Sequence, residues 1–139
     1  MSSKSLVRVG CGALIVNEKN EVLLIKRSAT RNQNDYWSQP GGAVEFGETI
    51  KQAIIREIRE EVNVKIRLIS YLSYTEQIFK KETQHWLAIS YLARIISGNV
   101  KNLEPHKHSA VKWFPIDKLP KKLSKTTVDS TRAYLTSSL

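Results

Sequence analysis

The sequence predicts an α/β domain on three observations. Apolar, β-branched runs of strand length recur along the chain, one amphipathic stretch opens with a helix start signal, and the composition is that of a globular protein. With 139 residues, 41% apolar and 25% charged, the chain can bury a core but is short for two domains. Residues 1–139 are therefore read as one domain.

Val7 to Val16 is apolar and β-branched, and Val22-Leu23-Leu24-Ile25 repeats that character after Asn17-Glu18-Lys19-Asn20. The two runs are expected to form a hairpin closed by the polar turn. Ser28 to Asp35 is polar and aperiodic, with Asn32 and Asn34 as turn formers, so an exposed loop is expected there. Trp37 then precedes Pro40-Gly41-Gly42, where the backbone can turn sharply or approach a ligand closely.

Thr49 and Gln52 form a capping-box pair, and Ile50, Ala53, Ile54, Ile58 and Val62 follow at helical spacing. This predicts a helix over Ile50 to Val62. Val64 to Tyr74 and Trp86 to Ile96 carry strand-forming residues and read as two strands, paired or neighbouring. Glu104-Pro105 opens a polar loop, Val111 to Phe114 reads as a short strand, and Ser124 to Leu135 as a closing helix. There are no repeats, low-complexity tracts or linkers.

No apolar stretch approaches the ~20 residues that span a bilayer, and Met1 to Ser5 lacks the apolar core of a secretory signal. A cytoplasmic location with no membrane partner is the expectation. The single cysteine, Cys11, has no second thiol for a disulfide or a cysteine zinc site and reads as a buried core residue. A net charge of +9 points to an anionic partner. The basic residues are scattered and form no nucleic-acid recognition pattern, so direct nucleic-acid binding is not expected. A homodimer is compatible with the chain.

Glu57, Glu60 and Glu61 are spaced i, i+3, i+4 and share one arc of the predicted helix, at about 100° per residue. Three carboxylates so placed repel one another, which a cation among them would relieve, and oxygen ligands select magnesium, manganese or calcium over zinc. Ile54, Ile58 and Val62 occupy the adjoining arc, so core and carboxylates are expected on different faces. A solvated acidic surface is the alternative reading of such a face.

The residues upstream separate the two. Gly42-Ala43-Val44-Glu45-Phe46-Gly47-Glu48, seven further residues, and Arg56-Glu57-Ile58-Arg59-Glu60-Glu61-Val62-Asn63-Val64 together resemble the Nudix box, G-x5-E-x7-R-E-U-x-E-E-x-G-U with U a bulky aliphatic. Asn63 stands where that pattern has glycine. A helix should stop there in a left-handed residue, and asparagine is the usual substitute for glycine in that role. Trp37-Ser38-Gln39-Pro40-Gly41-Gly42 and Val111-Lys112-Trp113-Phe114-Pro115 also resemble the segments flanking the box, so the resemblance runs from Val9 to about Leu119.

The resemblance implies a Nudix-like α/β/α sandwich, a mixed β-sheet between helices, and a pyrophosphohydrolase using Mg2+ or Mn2+ on a small nucleotide substrate. It implies Glu57 and Glu61 as metal ligands, Glu60 as ligand to a second ion or its water, and the Gly41 carbonyl as a further ligand. Glu48 and Arg56 would form a structural salt bridge, and a box glutamate or a nearby acid would act as base. Many relatives place another carboxylate just before the segment matching Val111 to Pro115. Here that stretch reads His108-Ser109-Ala110, and the nearest acid is Glu104.

Arg27, Trp37, Tyr74, His85 and Glu104 are candidates for substrate binding, although each aromatic is also an ordinary core residue. Lys107 and His108, expected in a loop, are further candidates. The first functional expectation is hydrolysis of a nucleoside triphosphate to monophosphate and pyrophosphate, and the second is cleavage of ADP-ribose or a nucleotide sugar. A non-catalytic nucleotide sensor is a different class, but the three helix acids are intact. An isomerase of isoprenoid diphosphates would need an active-site cysteine, and Cys11 is poorly placed for that by sequence order.

Overall fold

Strand β1 (Val7–Ile15) is apolar on both sides because both sides are covered, as the computed structural model, which describes residues 6–28 and 35–137, shows. Successive side chains of a strand point to opposite faces. Cys11, Ala13 and Ile15 enter one core cluster, with Ala53, Ile54, Ile58 and Val62 of helix α1 (Ile50–Val62). Leu14 and Val16 enter a second, which Tyr134 of helix α2 (Lys125–Ser137) flanks. The sheet layer therefore lies between two helices, as expected of an α/β/α sandwich.

The remaining strands are β2 (Glu21–Arg27), β3 (Trp37–Ser38), β4 (Gly41–Ala43), β5 (Lys65–Phe79), β6 (Gln84–Ser97) and β7 (His108–Pro115). They form a four-stranded sheet in the order β4-β1-β6-β5 and a three-stranded sheet in the order β3-β2-β7. The first sheet is mixed: β1 runs parallel to β6 and antiparallel to β4, while β5 and β6 are antiparallel.

The expected hairpin of β1 and β2 does not form. Its turn exists, with the Asn17 side chain accepting from the N–H groups of Lys19 and Glu21 and with Asn20 left-handed at φ 59°. The strands part after one bridge, Val16 to Val22, because β4 and β6 occupy both edges of β1. β2 pairs instead with β3 and β7.

Helix α1 has the predicted bounds and both halves of the Thr49–Gln52 capping box. It ends at Asn63, left-handed at φ 67° and ψ 26°, whose N–H donates to the Arg59 carbonyl at 3.1 Å. The expected strands and closing helix are present but longer, β5 reaching Phe79 and β7 starting at His108. Two short strands, β3 and β4, occupy the segment read as a turn. Apart from Ser28 and Asp35, the loop expected at 28–35 lies outside the described residues.

Candidate active site

Helix α1 carries Glu57, Glu60 and Glu61 in its C-terminal half but gives them different surroundings. Glu61 is only 4% exposed and lies among the core residues Ile58 and Val62, so core and carboxylates do not keep separate faces. Glu60 is exposed and Glu57 half-buried.

Nor are three bare charges left to repel. Arg56 Nη1 donates to Glu57 at 2.9 Å and to Glu60 at 3.1 Å, so a guanidinium already compensates those two. Its Nε and Nη2 hold both oxygens of Glu48, at 2.6 and 2.8 Å, the salt bridge the sequence implied. Glu61 alone has no cation in hydrogen-bonding reach among the described residues. It accepts from the Gly41 N–H at 2.8 Å, yet burial pushes its carboxyl up to about 8.

Strand β4 explains the glycine pair. Neither Gly41 nor Gly42 has a positive φ, so neither is there to make a left-handed turn. A Cβ on Gly41 would overlap the Cys11 carbonyl, and one on Gly42 would overlap the Glu57 carboxylate. Bare backbone is what lets α1's acids close on β4. Ala13 donates to the Pro40 carbonyl and Val44 to the Val9 carbonyl, so by antiparallel alternation the Gly41 peptide groups point away from β1, toward Glu61.

Glu104 arrives through helix-end chemistry. The last carbonyls of a helix lack intrahelical partners. Here Lys101 N–H donates to the Val62 carbonyl and Leu103 N–H to that of Glu61, each at 3.0 Å, which fastens the incoming loop to the end of α1. Glu104 then accepts through its carbonyl from the N–H groups of Lys107 and His108, closing the turn that begins β7. One ligand atom each from Glu61, Glu104 and His108 lies within 4.8 Å of the others.

His108 is in a strand, not the expected loop, and is 1% exposed. Its Nε2 stands 3.6 Å from Glu61 Oε2, too far for a hydrogen bond. Burial pushes its pKa down to about 4, assisted by the nearby Arg27, while burial raises that of Glu61. Both shifts favour neutral forms, so the contact is not an ion pair.

A cleft of about 370 Å³ is lined by Gly10, Gly12, Arg27, Gln39, Trp86 and Ala88 among others. It meets the carboxylates across Gly41-Gly42, which line it. Gln39 is buried and fully engaged: its N–H donates to Thr127 Oγ1, its amide nitrogen to Ser90 Oγ, and its amide oxygen accepts from Ser130 Oγ. The segment entering Gly41 is thus tied to α2 and β6.

Of the candidate binding residues, the structure brings only Arg27 and the neighbourhood of His85 to this cleft. His85 itself contacts Glu76 at 2.6 Å, whereas Trp86, on the other face of β6, lines the cleft with the Arg8 guanidinium 4.6 Å from its ring. Strand alternation was the signal that could have singled out Trp86. Trp37 packs edge-on against Phe114 at 4.8 Å in the second core cluster, and Tyr74 is exposed on β5 away from the cleft lining. Cys11, dismissed on sequence order, pairs in register with Gly42 and lines the cleft; burial pushes its thiol up to about 11, which keeps it protonated.

A family model for the NUDIX domain matches residues 6–135. The chain belongs to the NUDIX family. Its fold is similar to the crystal structure of a MutT NUDIX hydrolase from Burkholderia pseudomallei, with TM-score 0.85, 36% identity and coverage of 92% of this chain and 98% of that one. It is 29% identical to an RNA pyrophosphohydrolase of Orientia tsutsugamushi, over 81% of this chain and 77% of the relative. It is 31% identical to an ADP-ribose pyrophosphatase of Methanocaldococcus jannaschii, over 77% and 62% respectively. The match covers as little as 32% of some curated relatives' length. No helix among the described residues of this NUDIX domain is long and apolar enough to cross a membrane.

Proposed function

We propose that this chain is a divalent-metal-dependent pyrophosphohydrolase of nucleoside diphosphate derivatives, acting by preference on nucleoside triphosphates to give monophosphate and pyrophosphate. The observation that carries this reading is the closure of Glu57 and Glu61 on Gly42 and Gly41 at the edge of a cleft that also contains Arg27. The donor set fits a hard cation. Glu57, Glu60, Glu61 and the Gly41 carbonyl, all oxygens, would hold Mg2+ or Mn2+, and among the described residues buried Glu61 has one hydrogen bond to satisfy its carboxyl.

Such a cation supplies charge neutralisation at the diphosphate and Lewis-acid activation of water. Arg27 would meet substrate phosphate from the cleft wall, and the Trp86 face would carry the base or sugar. Glu48 and Arg56 are positioning residues: their ion pair spans the box loop and the helix, and Arg56 also donates to the Ala43 carbonyl. A box glutamate takes the proton from the attacking water, for which Glu60, the exposed member, has room. The net charge of +9 favours a polyanionic substrate, and the same reading makes 1–139 a single cytoplasmic domain.

The relative named for ADP-ribose supports a second reading, in which the cleft takes ADP-ribose or a nucleotide sugar. Product analysis across nucleoside triphosphates, dinucleotides and nucleotide sugars tests both. Pyrophosphate released from triphosphates is the expected result. ADP-ribose cleaved faster than every triphosphate would install the second reading, and no cleavage of any of them with Mg2+ or Mn2+ would favour a nucleotide sensor.

A further inference from the structure

We infer that Glu61, Glu104 and His108 form a mixed carboxylate–imidazole site at which this chain binds a first-row transition dication, Mn2+, Fe2+, Co2+ or Zn2+, in preference to Mg2+. The inference rests on the proposed hydrolase reading only through Glu61, which the two sites share.

The separation of His108 from Glu61 is too long for a hydrogen bond and right for a common ion. At ligand distances of ~2.1 Å, adjacent ligands of one metal lie roughly 3–4 Å apart. The 3.6 Å between His108 Nε2 and Glu61 Oε2 falls in that interval, and a Glu104 carboxylate oxygen lies within 4.8 Å of both, close enough for a small side-chain shift to bring it to the same ion.

The second observation is the state of His108 itself. The ring is 1% exposed, and among the described residues neither Nδ1 nor Nε2 has a hydrogen-bond partner. Buried polar atoms are nearly always satisfied, and an orphaned imidazole needs a physical reason. An ion bound to Nε2 satisfies that nitrogen and fixes the proton on Nδ1.

Placement is secured by backbone rather than by the ion. The hydrogen bonds from Lys101 and Leu103 to the end of α1 hold the loop, the Asn102 side chain donates to the His108 carbonyl at 2.7 Å, and its oxygen accepts from the Glu104 N–H at 3.1 Å. Asn102 thereby braces both Glu104 and His108, so the backbone holds the three donor groups near one point.

Ligand chemistry sets the preference. Mg2+ demands oxygen donors and sheds water reluctantly, whereas imidazole suits the later first-row dications. Two carboxylates with one imidazole are therefore a better set for Mn2+ or Co2+ than for Mg2+. Arg27 pairs in register with His108 and adds positive charge, so both carboxylates are needed to offset it.

The test uses the metal-free full chain with Co2+ and Mg2+ as probes and no nucleotide, so its outcome is independent of turnover. Co2+ is expected to bind at least tenfold more tightly than Mg2+ and to produce a hyperfine-shifted, exchangeable histidine ring N–H resonance. His108→Ala and Glu104→Gln should each weaken Co2+ binding at least tenfold, His108→Ala changing Mg2+ binding less than threefold. The shifted resonance should vanish in His108→Ala and persist in His106→Ala. His108→Asn serves if the alanine variant does not fold, with near-ultraviolet circular dichroism as the check on folding. A Co2+ complex without a shifted histidine resonance, or Co2+ and Mg2+ affinities that fall together in the His108 variants, would overturn the inference. Failure of hydrolysis across the nucleotide panel with these binding results intact would overturn only the function proposed above.

Discussion

Arg56 grips Glu48 with two nitrogens at once, Nε at 2.6 Å and Nη2 at 2.8 Å, while its third nitrogen reaches Glu57 and Glu60. One guanidinium thus ties the box loop to the helix and orients two of the carboxylates beside the cleft. Lysine has the charge but not the planar fork, so Arg56→Lys should fold and lose most turnover. Kinetics alongside circular dichroism checks this.

The same pair sets an acid limit. Its bonds to Arg56 hold the Glu48 carboxyl down at about 2, against about 4.3 in an unfolded chain. A depressed carboxyl stabilises the fold above the unfolded value and loses that contribution as pH falls through the folded one. Between about pH 4.5 and 2 the parent should lose stability more steeply than Glu48→Gln, as read by thermal melts across that window.

The two box glycines should fail differently. A Cβ at Gly41 meets the backbone of Cys11, so Gly41→Ala must spread β4 from β1 and lower the melting temperature. The three atoms nearest a Cβ at Gly42 all belong to the Glu57 carboxyl, the end of a side chain that can swing away. Gly42→Ala should therefore melt near the parent while losing turnover, and equal melting losses in both variants would contradict this.

Gln39 links the cleft to α2 and β6 through three buried hydrogen bonds, two to α2 and one to β6. Replacing it with leucine strands the Ser90 hydroxyl, at a cost of about 1–3 kcal/mol, and takes from Ser130 one of two hydrogen bonds, worth about 1 kcal/mol, the other going to the Thr127 carbonyl. Urea denaturation should show Gln39→Leu destabilised by about 2–4 kcal/mol, and Ser130→Ala by about 1 kcal/mol.

What was legible in the sequence was local. The bounds of α1, its capping box and the left-handed Asn63 follow from side chains competing for nearby backbone groups, and the structure has all three. Sheet partners were not legible. β1 and β2 are sequence neighbours with hairpin chemistry between them, yet β1 is claimed on both edges by strands 30 to 80 residues away. The site divides the same way. The Glu48–Arg56 pair and the box acids were visible, while His108, Trp86 and the burial of Glu61 depend on loops and strands that only folding brings together.

That burial separates the two acids expected to matter most. Glu57→Gln and Glu61→Gln should each lower turnover by more than about 100-fold, the upper end for residues that merely support a metal ligand. Their metal-free stabilities should differ in sign. Glu57 accepts from Arg56 at 2.9 Å, and both side chains are mostly shielded, so its amide variant should melt slightly lower, by no more than about 1 kcal/mol in stability. Glu61 is pushed up to about 8 by burial, so between about pH 4.5 and 8 the folded chain keeps a proton that the unfolded chain has released. Stability then falls as pH rises through that window. Glu61→Gln removes the titration, so its metal-free melting curve should be flatter across the window and lie above the parent's near pH 8. Mn2+ should raise the parent's melting temperature most, since a ligand bound only by the folded state stabilises it, and should raise both variants' less. Thermal melts at pH 5 and 8, with and without Mn2+, read all of this. Equal metal shifts in parent and variants would show that these carboxylates are a solvated helix face and nothing more.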